Sequence, residues 1–215
     1  MVLKHSIYRT NTGRIPVRQI RADYCDDRIR VYQAFSPVIA DAALSAGKFT
    51  PPHFNFDRMT WIKPSFLWMM YRSNWATRRN QERVLRIEIR RRGFEWALAN
   101  SCLSHYEKRT YRDKEHWQTL LRSLPVRIQW DPERDIDLSR LQYRSIQIGL
   151  SGEAVQKYVH EWIYEICDLT GLAREIQSLV SNGEKERATE LLPKEEPYPL
   201  SRALQKAVGI IEESL

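Results

Sequence analysis

The spacing of apolar and polar residues predicts strands interleaved with helices along most of this chain. In the predicted strands, β-branched or aromatic residues alternate with charged and polar ones, which is typical of sheets with one buried face. The predicted strands are 29–35, 59–62, 82–90, 126–133 and 144–152. The strand at 126–133 is expected to end in a turn at Asp131-Pro132.

Apolar residues three to four positions apart predict helices between these strands. The strongest pattern lies in residues 153–170, where apolar side chains from Val155 to Ile166 form one stripe. Ser36 and Pro37 are typical of a helix start, and Gly47 is typical of a helix end. The predicted helices are 37–46, 64–73, 94–103, 111–124 and 153–170, followed by helical segments beyond Gly171. Strands and helices without a regular alternation indicate the α+β class.

The chain has 34 lysine and arginine residues against 27 aspartate and glutamate residues, which gives a net charge of +7. A basic surface favours polyanionic partners such as RNA or DNA. The three cysteines are isolated, so we predict reduced thiols and no zinc site. The sequence has neither an apolar signal core nor a stretch of membrane-helix length, so we expect a cytoplasmic protein without a membrane partner.

Several well-known site motifs are absent from the chain. It contains no GxGxxG, GxxxxGK[ST], HExxH or GxSxG, which removes support for Rossmann, P-loop, zincin and α/β-hydrolase enzymes. The acidic residues between Asp131 and Asp137 are interpreted as a solvated turn rather than a magnesium site. We therefore predict no resident metal.

Residues 58–92 combine a dense cluster of aromatic and methionine side chains with a run of arginines. Large aromatic side chains belong in a core or a pocket wall, whereas this many guanidinium groups cannot all be buried. Planar rings beside guanidinium groups suit a ligand that has flat rings and phosphates. A hydrophobic core with a solvated basic face is the alternative interpretation.

Six segments of the chain resemble the uncharacterised family catalogued as domain of unknown function 4291. They extend from about Arg18 to Leu200, and the string around Trp61 and Lys63 is the most specific of them. The segments are VYQAFSPVIADAAL, MTWIKPSFLWMMYRSNW, QERVLRIEI, FEWAL, VRIQWDPERD and YRSIQIGLSGEAV. The family name implies no activity.

The order of the predicted elements is also similar to the ADP-ribosyltransferase fold, in particular to DNA-modifying toxins of the DarT type. Residues 31–49 would form the opening strand and helix, and residues 59–71 the second half of the NAD pocket. The resemblance implies a single compact domain with a mostly antiparallel, split central sheet flanked by helices. Residues 1–170 would form a nucleotide-binding core, and residues 171–215 a helical extension packed on it.

The same resemblance implies an NAD-binding transferase that acts on nucleic acid. Gln33 stands where many relatives have a histidine for the nicotinamide ribose, and Glu153 is the candidate for the catalytic glutamate. Arg72 would reach a phosphate as a bidentate donor. The other residues expected to line the pocket are Tyr32, Trp61, Lys63, Ser65 and Tyr71.

A competing resemblance is to polynucleotide ligases, in which a lysine attacks the α-phosphate of ATP and forms a lysyl-adenylate. Lys63-Pro64-Ser65 resembles their nucleophile segment, and desolvation between Trp61 and Phe66 would lower the pKa of Lys63. This hypothesis describes an RNA ligase or nucleotidyltransferase that uses ATP with Mg²⁺, with Glu88 and Glu133 as ribose or metal ligands. A lysine that snorkels at a strand end is the structural alternative.

A third hypothesis belongs to a different functional class. Basic charge and exposed arginines suffice for salt-dependent binding of RNA or DNA without any pocket. In that case the chain would be a nucleic-acid-binding module without catalytic activity.

Overall fold

The structure, a computed structural model, describes residues 16–210. This part of the chain contains nine strands, with helices between them. The strands are β1 (Arg21–Ala22), β2 (Arg28–Phe35), β3 (Thr60–Ile62), β4 (Arg83–Arg90), β5 (Ser101–Leu103), β6 (Val126–Arg134), β7 (Arg140–Leu150), β8 (Ile163–Asp168) and β9 (Glu196–Pro197). The helices are α1 (Pro37–Ala46), α2 (Phe66–Ser73), α3 (Arg91–Ala99), α4 (Lys114–Ser123), α5 (Glu153–Lys157), a π-helical turn (Tyr158–Trp162), α6 (Thr170–Ser181), α7 (Lys185–Glu190) and α8 (Arg202–Ala207). The predicted α+β class is confirmed.

Two larger sheets meet at a single backbone bridge. One sheet has the antiparallel order β2-β4-β8, and the other has the order β3-β7-β6-β5, in which only the β5–β6 pair is parallel. At the bridge, the Tyr32 amide donates to the Lys63 carbonyl at 2.6 Å, and the Lys63 amide donates to the Tyr32 carbonyl at 3.3 Å. A short pair formed by β1 and β9 completes the sheet structure.

The main core lies against one face of the four-stranded sheet. Alternate side chains of β6 and β7, among them Ile128 and Ile148, point into it and are almost fully buried. Full burial of an aliphatic side chain of this size contributes about 1.5–3 kcal/mol. The opposite face of this sheet is thereby left to the polar side chains that alternate with them.

Residues 171–210 pack on the rest of the chain. Ala173 and Ile176 of α6 share a buried cluster with Phe66 and Met69 of α2. Tyr198, which follows β9, lies in the main core, and the Val208 carbonyl accepts from the Trp130 indole at 2.8 Å. The predicted boundary at residue 170 therefore falls at the start of α6, and residues 171–210 add β9 to three helices.

The local predictions are confirmed for β2, β4, α1 and α2. Pro37 opens α1 and Gly47, with φ of 67°, closes it. Helix α2 starts at Phe66, because the Ser65 side chain accepts from the Trp68 amide and caps the first turn.

The long helix predicted for residues 153–170 is wrong. Only Glu153–Lys157 is α-helical, the π-helical turn follows, and Ile163–Asp168 forms strand β8. Ile166 of β8 pairs with Ile87 of β4. If this segment were a helix, the backbone groups on that edge of β4 would lack hydrogen-bond partners. Sheet pairing therefore prevails over a helical period in a segment that is also rich in β-branched and aromatic residues.

Two further boundaries differ from prediction. The segment predicted as helix 94–103 ends its helix at Ala99, and Ser101–Leu103 is strand β5 beside β6. Strand β6 does not turn at Asp131-Pro132 but continues to Arg134, with a register shift after Pro132. Strand β5 pairs with β6 only as far as Ile128, so this edge of β6 is unpaired at Pro132. Proline is tolerated there because no neighbouring strand requires the N–H that it lacks. Asp131 and Glu133 are therefore strand residues, not turn residues.

Gly93 is expected to be a packing requirement of α3. A Cβ atom at this position would lie 2.3 Å from a ring carbon of Trp162 in the π-helical turn. Gly93→Ala should lower the free energy of unfolding by about 1–3 kcal/mol through overpacking. Gly171→Ala is the matched control, because a Cβ there meets open space, and it should be neutral or stabilising by up to about 1 kcal/mol. Equal urea midpoints for the two variants would contradict the close packing.

Candidate functional site

The face of the four-stranded sheet that points away from the main core is polar. Gln129 and Asp131 of β6 alternate with the buried Ile128 and Trp130, and Gln147 of β7 pairs across from Gln129. We call this surface the polar face, and its residues are Trp61, Lys63, Gln129, Asp131, Glu133, Ser145 and Gln147.

Lys63 lies at the end of β3, beside α2. Its side chain is 7% exposed, its amine donates to the Trp61 carbonyl at 3.0 Å, and it lies 5.5 Å from the Trp68 ring centre. Burial, together with the positive charge of Arg72, lowers the pKa of Lys63 from 10.5 to about 7, and the charge of Asp131 opposes this shift. A large share of this amine is therefore unprotonated at neutral pH, which is the form that acts as a nucleophile.

Two glutamates, the buried Glu133 and the partly exposed Glu195, hold the start of α2. The Ser65 hydroxyl donates to Glu133 at 2.9 Å, and the Phe66 amide donates to Glu195 at 2.6 Å. These bonds satisfy donors of the first helical turn and fix the segment that follows Lys63. The position of the lysine thus depends on residues from β6 and from the segment before β9.

The two glutamates also influence each other. Burial raises the pKa of both carboxyl groups, and the nearby charge of Glu133 raises the pKa of Glu195 further. Hydrogen bonds from the Arg134 amide and Ser65 oppose the shift at Glu133, and the Arg21 guanidinium opposes it at both residues. A carboxyl group whose pKa is raised in this way is suited to acid and base chemistry.

Asp131 organises the centre of the polar face. Its carboxylate accepts from the amides of Gln129 at 2.9 Å and Gln147 at 2.6 Å, one on each oxygen. Each glutamine thus has a fixed orientation, with its carbonyl oxygen turned away from Asp131. A negative charge is held on the same face as Lys63.

Trp61 provides a flat apolar surface beside Lys63. A Cβ atom at Gly149 would lie 2.9 Å from the Trp61 ring, so the indole lies directly over the β7 backbone. Trp61 is partly exposed. A planar ligand group of suitable size could stack on it.

The structure brings together most of the residues expected in the pocket. Trp61, Lys63, Ser65 and Arg72 lie around the junction of β3 and α2, with Arg72 exposed and close enough to Lys63 to lower its pKa. Tyr32 is fully buried at the backbone bridge. Tyr71, at 37% exposure, has the Arg134 guanidinium 3.5 Å from its ring centre.

Gln33 lies at the junction of the two sheets with its amide fully engaged. It donates to the Thr60 hydroxyl at 2.7 Å and to the Trp61 carbonyl at 3.2 Å, and it accepts from Tyr158 at 2.7 Å. These contacts hold β3 against β2. Gln33 therefore positions Trp61 and does not present a free polar atom.

Glu153 and Glu88 are placed away from these contacts. Glu153 is an exposed residue in the first turn of α5, and its carboxylate lies 3.5 Å from the Lys157 amine. Glu88 of β4 is buried and pairs with Arg30 at 2.8 Å and Arg28 at 3.4 Å. Both carboxylates thus have basic partners outside the polar face.

Sequence reasoning missed four contributors to the site: Gln129, Asp131, Gln147 and Glu195. The period of two in β6 and β7 is the signal that would have placed the first three on one face. Glu195 has no such signal, because it lies within a proline-rich segment and reaches Phe66 only through the tertiary fold.

The burial of Lys63 predicts a pH-dependent stability. Between pH 7 and 10 the unfolded chain holds a proton on this lysine that the folded protein has largely released, so stability from this group rises with pH. From pH 7 to 9 the gain should be about 2 kcal/mol, and Lys63→Met should lack it. Urea denaturation at several pH values measures the difference. The exposed Lys48→Met is the control, and an identical pH profile for wild type and Lys63→Met would contradict a desolvated lysine.

A sequence model described as "Domain of unknown function (DUF4291)" matches residues 19–198, so the chain belongs to this family. No curated protein and no solved structure matches the chain. Within residues 16–210, no three His, Cys, Asp or Glu side chains are grouped so that they could hold a metal ion. None of the helices in this range has the length and apolar content that a membrane span requires.

Proposed function

We propose that this DUF4291 protein is a nucleotide-dependent transferase that acts on nucleic acid and uses Lys63 as its nucleophile. The observation that carries the proposal is the buried Lys63 amine, with a pKa of about 7 and with Arg72 close by. A surface lysine would be protonated and unreactive at neutral pH. The segment from Trp61 to Arg72 supports a nucleotide as the first substrate, because it offers an aromatic surface, an amine and a guanidinium.

The first step would transfer a nucleotidyl group to the enzyme. The Lys63 nitrogen attacks the α-phosphorus of ATP, an N–P bond forms, and the P–O bond to the β-phosphate breaks, so pyrophosphate leaves. The nitrogen passes its proton to the departing pyrophosphate, and the charge of Asp131 favours the positively charged nitrogen that precedes this transfer. Mg²⁺ would arrive with the phosphates, since this ion is usually held by substrate oxygens and only one or two carboxylates.

The second step would pass the group to nucleic acid. A terminal oxygen of the acceptor attacks the phosphorus, the N–P bond breaks, and the leaving nitrogen takes up a proton from water, which restores the amine. The net charge of +7, with the exposed Arg78 and Arg79 directly after α2, supports a polyanionic acceptor. The adenine ring would stack on Trp61.

A covalent adduct tests the proposal. After incubation with ATP and Mg²⁺, intact-protein mass spectrometry should show the wild-type mass increased by one AMP group, mapped to Lys63 by peptide analysis. Lys63→Ala should show no increase, because no other group replaces the nucleophile, and Lys48→Ala should behave like wild type because Lys48 is exposed. An unmodified wild-type mass, with either ATP or NAD⁺, would reject the lysyl intermediate.

ADP-ribosyl transfer from NAD⁺ is the second candidate. The junction of two sheets at Tyr32 and Lys63 supports a cofactor site there, and Glu133 offers a buried carboxyl group on the polar face. In this version Glu133 takes the role expected of Glu153, because Glu153 is exposed and paired with Lys157.

Nicotinamide release separates this candidate from the first. Glu133→Gln should reduce the release of nicotinamide from NAD⁺ by about 100-fold or more, because an amide cannot stabilise the developing charge on the ribose. Glu153→Gln should leave the rate unchanged. Chromatography of reaction mixtures measures the product, and equal rates for the two variants would remove Glu133 from the reaction.

If neither the adduct nor nicotinamide forms while RNA or DNA binds in a salt-dependent manner, the non-catalytic module is the better description.

A further inference from the structure

Arg134, at the end of β6, is a buried cation without an acidic partner in the described part of the chain. It is 8% exposed, and no carboxylate of residues 16–210 lies within 4 Å of its guanidinium. One of its terminal nitrogens donates to the Leu138 carbonyl at 3.2 Å, and its Nε has no acceptor among these residues. A buried charge without a counter-charge is strongly unfavourable, so the arrangement indicates an anion that completes it.

A second buried donor lies on the same side of α2. Trp68 is 5% exposed, and its indole N–H has no acceptor among residues 16–210. A buried donor without an acceptor costs about as much as a lost hydrogen bond, and such donors are uncommon in native proteins.

A chain of ring contacts through α2 links these donors to one another and to Lys63. The Arg134 guanidinium stacks on Tyr71 at 3.5 Å, the Tyr71 and Trp68 ring centres are 6.4 Å apart, and the Lys63 amine lies 5.5 Å from the Trp68 ring centre. Arg72, the next residue of α2, is exposed and also has no carboxylate within 4 Å among the described residues. Two unsatisfied donors and three basic groups thus surround one helix.

We infer that Arg134 and the Trp68 indole N–H form a phosphate-binding site beside Lys63, which holds the polyphosphate chain of the nucleotide substrate. This inference rests on the proposed function for the identity of the nucleotide, but the phosphate site itself follows from the unsatisfied donors. A guanidinium and a neutral N–H suit phosphate oxygens, because each oxygen accepts charge-assisted hydrogen bonds. Stacking on Tyr71 would keep the guanidinium plane fixed while its edge contacts the ligand.

Titration with inorganic tripolyphosphate tests the site without requiring any reaction. Isothermal titration calorimetry should show binding by the wild-type protein, and Arg134→Met should weaken it at least about tenfold, as expected for the loss of hydrogen bonds to a charged group. Trp68→Phe, which keeps a ring beside Lys63 but removes the N–H, should weaken binding about two- to tenfold. Arg174→Met is the matched control, because Arg174 is exposed on α6, and it should bind like wild type.

Thermal stability without ligand provides the second measurement. If the Arg134 guanidinium is paired only when an anion is bound, Arg134→Met without ligand should melt at the same temperature as wild type or higher, because an unpaired buried charge has been removed. A marked fall in melting temperature with unchanged tripolyphosphate affinity would make Arg134 a structural residue and overturn the inference. Absence of tripolyphosphate binding to wild type at millimolar concentration would overturn it as well.

The outcome for the inference is separable from that for the proposed function. Tripolyphosphate binding that depends on Arg134, together with an unmodified Lys63 after ATP treatment, would keep the phosphate site and reject the lysyl intermediate. If an adduct forms on Lys63 while Arg134→Met binds tripolyphosphate with full affinity, the lysyl intermediate is supported and the phosphate site is rejected.

Discussion

The backbone bridge between Tyr32 and Lys63 is the contact on which the site depends. Its two hydrogen bonds join the β2-β4-β8 sheet to the four-stranded sheet, and the Gln33 amide reinforces the junction through Thr60 and Trp61. Because the Lys63 backbone is tied on one side and α2 begins at Phe66, most of the side chain is withdrawn from water and only 7% of the residue is exposed. It lies instead over the Trp61 carbonyl and beside Trp68. The low pKa of Lys63 is therefore a consequence of the sheet junction.

The charges around this lysine are separated by α2. Glu133 and Glu195 lie at the start of the helix, where they accept from Ser65 and Phe66, and burial raises the pKa of both carboxyl groups. Arg72 and Arg134 lie near its later residues. The two glutamates thus accept hydrogen bonds from the start of the helix, whereas the Arg134 Nε near its later residues has no acceptor among residues 16–210. The unsatisfied donors favour an anionic partner, although the site also contains the carboxyl groups of Asp131, Glu133 and Glu195.

Local sequence patterns predicted the elements that local chemistry decides. Ser36, Pro37 and Gly47 bound α1, and alternation in residues 82–90 predicted β4, because caps and periods act within a few residues. The expectation that Trp61, Ser65 and Arg72 lie beside Lys63 came instead from the resemblance of this string to nucleotide-binding families. The helix predicted across β8 failed because its partner strand lies far away in sequence, and a helical period in IYEICD is outweighed by pairing with β4. Glu195 was equally out of reach, since only the tertiary fold brings it to α2.

Both interpretations of the aromatic and arginine-rich segment describe part of it. Phe66, Met69, Met70 and Trp75 are buried in an apolar cluster with α6, so they are core residues that anchor α2. Trp61, Trp68 and Tyr71 instead lie next to Lys63 or Arg134. Helix α2 therefore has one face that supplies packing energy and another that carries unsatisfied donors. The packing of the apolar face thereby offsets the cost of leaving the Trp68 indole N–H unsatisfied on the other.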